Sequence, residues 1–106
     1  MPKYLVEANY LGDGISGLLK EGGTSRRAVV EEAAKTVGGT LEAFYYAFGD
    51  TDLYAIIDLP DNATAVGLSL GIAASGTVAL KTTALLTPEE LDDAGKASPS
   101  YRPPGR

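Results

Sequence analysis

The chain has 106 residues, 44% of them hydrophobic and 22% charged, and a formal net charge of −5. That length holds one domain with a modest core, and the acidic balance disfavours a nucleic-acid partner, whose phosphates need a basic face. With no cysteine and no histidine, disulfides, thiol nucleophiles, Ser-His-Asp triads and the usual zinc sites are all excluded.

Residues 3–10 alternate Tyr4, Val6, Ala8 and Tyr10 against Lys3, Leu5, Glu7 and Asn9, the period of two expected of a strand. No signal-peptide apolar region precedes it, so a cytoplasmic location is expected. Residues 15–20 suit a short helix that Gly22-Gly23 breaks, with Thr24 or Ser25 as the natural cap of a second helix. That helix carries Val29, Ala33 and Val37, with Val30 and Ala34 beside them, and Gly38-Gly39 ends it. Residues 40–48 and 53–59 read as two strands joined by Gly49-Asp50-Thr51-Asp52. Asp61 or Asn62 caps a helix running to about residue 75, with Val66, Leu70 and Ala73 as its apolar stripe and Leu68 and Ile72 alongside. Gly67, Gly71 and Ser75 form a small-residue stripe that suggests close approach of another backbone. The run from Ala63 to Leu80 is too polar and glycine-rich for a transmembrane helix, so no membrane partner is expected. A strand over residues 77–86 follows. Thr87-Pro88-Glu89-Glu90 then reads as a capping box with proline at the first helical position.

The order β-α-β-β-α-β predicts an α+β, ferredoxin-like fold with a four-stranded antiparallel sheet and an extra short C-terminal helix. One domain spans residues 1–94, and residues 95–106 form an extended, proline-rich tail. The second strand presents Phe44, Tyr46 and Phe48 on one face and Ala43, Tyr45 and Ala47 on the other. The third presents Leu53, Ala55, Ile57 and Leu59 against Tyr54, Ile56 and Asp58. Helices cover one face, and something must cover the second. Another copy of the sheet is the simplest cover, so a homodimer or a multiple of it is expected. A tail folded over that face is the alternative.

Three stretches together resemble the GYD-domain family, small bacterial proteins of the dimeric α+β-barrel type. They are Phe44 through Asp61, Glu21-Gly22-Gly23-Thr24-Ser25-Arg26-Arg27, and Leu86-Thr87-Pro88-Glu89-Glu90. The Gly-x-Tyr-Asp turn of that family maps to Gly49-Asp50-Thr51-Asp52, where Gly49 and Asp52 match and Thr51 replaces the usual Tyr. The resemblance implies the fold and the dimer, and it implies no particular reaction.

Candidate site residues fall into three groups. Asp50, Asp52 and Asp58 bring carboxylates near one turn and one strand, but aspartate is favoured in turns for its bonds to backbone N–H groups, and no metal site is expected. Glu7 and Asn9 share one face of the central first strand. A cavity facing the helices would be lined by them together with second-strand aromatics such as Tyr46. Arg26 and Arg27 stand in a helix's first turn, where the macrodipole prefers acids. Beside the hydroxyls of Thr24 and Ser25 they could hold a small anionic metabolite. The structural reading of this last group pairs Arg27 with Glu31 one turn on. Six tyrosines against two phenylalanines suit an interface or a pocket wall. The expected function is small-ligand binding or regulation by a dimer with a pocket between sheet and helices, without a cofactor. The alternatives are a cofactor-independent enzyme resembling a monooxygenase or isomerase, and a structural oligomerisation module.

Overall fold

The computed structural model describes residues 1–47 and 49–106. Its elements are β1 (Lys3–Tyr10), α1 (Gly14–Glu21), α2 (Gly23–Thr36), β2 (Thr40–Tyr46), β3 (Leu53–Asp58), α3 (Asn62–Ala73), β4 (Val78–Leu85) and α4 (Pro88–Lys96). The strands make one antiparallel sheet in the order β2-β3-β1-β4, and α2 and α3 pack on one face of it. This is the α+β ferredoxin-like arrangement that the pattern predicted. Phe48, assigned to the second strand from sequence, lies outside the described residues.

Alternation sorts the strand residues as a half-covered sheet requires. Tyr4 and Ala8 of β1, and Leu53, Ala55 and Ile57 of β3, face the helices and are buried, together with Leu59 beyond the strand. Leu53, Ile57 and Leu59 each contribute roughly 1.5–3 kcal/mol by leaving water, and the alanines less. Their neighbours Leu5, Tyr54 and Ile56 face the other way; Leu5 and Ile56 are half-buried and Tyr54 is exposed. On β2 the alternation is broken and repaired. Leu41 pairs with Ile57 and Ala43 with Ile56, which leaves Glu42 as an extra residue in a bulge. The bulge lets both Leu41 and Phe44 pack on the helix-side core. It also turns the Glu42 carboxylate toward Lys3, whose Nζ lies 3.0 Å from Glu42 Oε1 and 2.9 Å from Asp58 Oδ1. Those two bonds raise the ammonium's pKa, Asp58 first and Glu42 second.

Helix termini follow the punctuation, with one correction. The cap of α2 is Gly22 at φ 87°, with no side-chain bond, and Thr24 and Ser25 lie inside the first turn. The physical reason is that Gly22, in a conformation that favours glycine, both ends α1 and admits α2 at once, leaving no residues for a separate cap. The far end of α2 is a Schellman motif: Gly39 N–H donates to Ala34 O at 2.8 Å and Gly38 N–H to Lys35 O at 3.0 Å, with Gly38 at φ 84°. Asp61 caps α3 by accepting from Thr64 N–H at 2.8 Å, and that bond lowers its carboxyl pKa. Thr87 and Glu90 form the reciprocal capping box of α4.

The stripe assigned to α3 is wrong by one position. Ala65 is buried, Leu68 packs on the core and Ile72 is half-buried, while Val66 and Leu70 are 57% and 65% exposed. The helix is apolar all round, so hydrophobicity carries no preferred face. Among the described residues nothing lies within 4 Å of where a side chain would begin at Gly67 or Gly71, so no backbone approaches those two glycines.

No residue of α4 is buried, and residues 97–106 continue beyond it without helix or strand. The radius of gyration is accordingly 16.9 Å, against about 13 Å for a compact chain of this length. The tail does not cover the second sheet face, since every residue from 88 onward is exposed.

Candidate functional site

Between the sheet and the two helices lies a partly enclosed cavity of about 110 Å³. Val6, Ala8 and Tyr10 of β1 and the buried row of β3 form its floor, and Val29, Val30 and Ala33 of α2 with Leu68 and Ile72 of α3 form its roof. Among the described residues its polar lining comes from three side chains, Tyr10, Arg26 and Ser69. The Ser69 hydroxyl is 3.0 Å from that of Thr82 and so already has a partner. Arg26 and Tyr10 therefore carry the polar chemistry of this space.

Arg26 reaches the cavity because it sits one turn before Val29 and Val30 on the inner side of α2. Its side chain is 30% exposed, and Nη1 lies 3.3 Å from Glu21 Oε2 at the end of α1. Tyr10 forms part of two walls: that of the cavity, and that of an open groove of about 540 Å³ bounded by Ile15, Leu18 and Leu19 of α1 and by Tyr46 and Asp52. Burial pushes the Tyr10 phenol up to about 12, the neighbouring Tyr46 adds to this, and the positive charge of Arg26 opposes it. Tyr10 is thus a hydrogen-bond donor at any physiological pH.

That shift has a measurable consequence. The folded phenol holds its proton more tightly than an unfolded one at its ordinary 10.0, so the stability it contributes is intact below about pH 10 and is lost as pH rises toward 12. Denaturant midpoints measured across that window should fall with pH in the wild type. In Tyr10→Phe the decline should be shallower. Equal slopes would show that the phenol is not held in this way.

The five site residues proposed from sequence are divided between the two sheet faces. Arg26 lines the cavity. Tyr46 stacks edge-on against Phe44, with centroids 5.3 Å apart, and its hydroxyl donates to Gly23 O at 3.0 Å. Arg27, next along the helix, points elsewhere: it is exposed and shares a shallow hollow with Gly23, Thr24, Phe44 and Tyr46. A second hollow places it beside Glu31 at the β2 edge. The two arginines therefore do not converge on one anion.

Glu7 and Asn9 are corrected outright, because they lie on the open face and line no part of the cavity. A helix-covered face takes the apolar half of an alternating strand, which in β1 is Tyr4, Val6, Ala8 and Tyr10. Glu7 lies 4.0 Å from Lys81 Nζ across the β1–β4 ladder. The Asn9 carboxamide accepts from Asp52 N–H at 2.9 Å. Tyr10 is the residue that sequence reasoning missed, although it is the last member of the same inward row.

Of the three aspartates, Asp52 and Asp58 are structural. Asp52 Oδ2 accepts from Tyr10 N–H at 3.0 Å and Asp52 O from Ala47 N–H at 2.8 Å, while Asp52 N–H also lies 3.1 Å from Ala8 O. One residue thereby ties the β2–β3 connection to the end of β1. Asp58, at the opposite end of β3, is engaged with Lys3. Among the described residues no three acidic side chains gather as metal ligands would. Nor is any helix long and apolar enough to cross a membrane.

A four-stranded ferredoxin-like sheet, two helices over one face and an apolar cavity between them define a small α+β pocket-bearing domain. Residues 4–94 match the family model described as GYD domain, and the chain belongs to that family. No curated protein and no solved structure matches it.

Proposed function

We propose that this chain is a small-molecule-binding protein that works as a homodimer, its ligand held in the cavity between the sheet and α2 and α3. The observation that carries this reading is the cavity itself: a concave, apolar space at the centre of the fold with a cation and a hydroxyl on its wall. Interiors normally pack without voids of this size, and an apolar pocket with a few convergent polar groups is the usual form of a ligand site. The dimer is supported by the open sheet face, where the apolar rows of Leu5, Ile56, Tyr54 and Tyr45 remain partly or largely exposed. Tyr45 is 72% exposed and Tyr54 is 40% exposed. A second copy placed on that face would bury the rows symmetrically. The setting in this reading is the cytoplasm of a bacterium, which a chain without cysteine suits.

Native mass spectrometry of freshly purified protein, beside a denatured control, tests both parts. The expected result is a dimer carrying extra mass that vanishes on denaturation and is absent from Ala33→Leu, whose added side chain fills the cavity from α2. A bare dimer that no metabolite panel stabilises against heat would overturn the ligand reading. A monomer would overturn the dimer.

A further inference from the structure

We infer that the ligand is a short aliphatic monocarboxylic acid, its carboxylate gripped by Arg26 and Tyr10 at the cavity wall and its hydrocarbon chain inserted between the sheet and α2 and α3. This rests on the ligand-binding reading above and names its chemistry.

The body of the ligand follows from the lining. Among the described residues, every side chain on the wall apart from Tyr10, Arg26 and Ser69 is aliphatic or the ring of Phe44. A sugar, nucleotide or peptide would bury hydroxyls and amides with nothing to bond, which is costly. The cavity, at about 110 Å³, is smaller than the ~150 Å³ apolar space known to admit benzene. A straight or branched chain of about four carbons fits it better than a ring does.

The head group follows from the two polar side chains. Arg26 is the one cation on this wall among the described residues, and a planar guanidinium matches the two oxygens of a carboxylate. Its contact with Glu21 is long, at 3.3 Å through a single nitrogen, so most of its donors remain available. Tyr10 lines the same cavity and its hydroxyl supplies a second donor. The surrounding charges also limit the ligand. Glu21 already bonds Arg26. With one carboxylate already on the guanidinium, a monoanion is favoured over a phosphate dianion.

The test is a set of titrations of the full-length, ¹⁵N-labelled protein followed by amide NMR shifts. The three probes share one branched chain: 3-methylbutanoate, 3-methylbutanamide and 3-methylbutan-1-ol. The acid should bind roughly tenfold or more tightly than the other two, the amides of Val30, Ala55 and Leu80 moving in each case. Arg26→Gln should remove that preference while leaving the affinity for the alcohol unchanged. Glu21→Gln, which frees the guanidinium, should strengthen acid binding several-fold. Equal binding of all three probes at those amides would overturn the head-group assignment and leave the pocket reading standing. Failure of every probe to move them would overturn both.

Discussion

Gly39→Ala is expected to lower the melting temperature by at least about 10 °C, a loss of roughly 3 kcal/mol. A side-chain carbon at this position would lie 2.4 Å from Asp58 O, 2.7 Å from a methyl of Leu59 and 3.3 Å from Ala34 O. Two of these are backbone atoms, one at the end of β3 and one inside the Schellman turn of α2. Neither can yield without breaking the ladder or the cap. The third belongs to Leu59, which is 1% exposed and has no room to turn. Gly67→Ala is the matched control. It adds the same methyl to an exposed helix position with nothing within 4 Å, and should raise stability by up to about 1 kcal/mol. Thermal unfolding by circular dichroism measures both. A Gly39→Ala protein that melts with the wild type would mean that α2 does not sit this close to β3, and the roof of the cavity would have to be redrawn.

Ile56→Asp is expected to convert the proposed dimer into a folded monomer, raising its dissociation constant at least about a hundredfold. Ile56 is the centre of the open face, opposite Leu5 on one side and Ala43 on the other. A carboxylate there would be buried without a partner, and a twofold interface would contain it twice. The core should survive, because the helix-facing residues of β3 are its neighbours Ala55 and Ile57. Sedimentation velocity at micromolar concentration, with circular dichroism as the folding check, reads the result. An unchanged sedimentation coefficient in a dimeric protein would move the interface off the sheet, with the exposed Val66 and Leu70 of α3 the next surface to examine.

The architecture was legible in the sequence wherever local chemistry was unambiguous. The alternation of β1, the Gly38-Gly39 stop and the Thr87–Glu90 box each name a single local structure, and each is present; of the two caps offered for α3, Asp61 and Asn62, the structure takes Asp61. The inner face of α3 was not legible, because a helix apolar on every side has no preferred direction and only the neighbouring β4 and β1 decide it. The Glu42 bulge was hidden for a related reason: a strand with both faces apolar looks regular in either register.

The site was half legible. Arg26 stands out as a cation in a helix's first turn, but neighbouring helical residues do not share a face, and which of Arg26 and Arg27 turns inward depends on the rotation of α2, which the pattern leaves open. A carboxylate on a central strand suggests a pocket, which puts Glu7 and Asn9 on the helix-facing side. Yet the row containing Tyr4, Val6, Ala8 and Tyr10 was the one that helices could bury. Applied strictly, that rule also yields Tyr10.

The bulge in β2 has a consequence for how the chain tolerates changes in length. Written without Glu42, the strand runs Leu41, Ala43, Phe44, Tyr45, Tyr46 and alternates without a break, Leu41, Phe44 and Tyr46 still facing inward. Glu42 is therefore a single extra residue lodged in a strand whose parity is complete without it. Deletion of Glu42 would cost Lys3 one of its two carboxylates and leave Phe44 on the cavity wall. At this point of the sheet the number of residues and the shape of the pocket are free to vary independently.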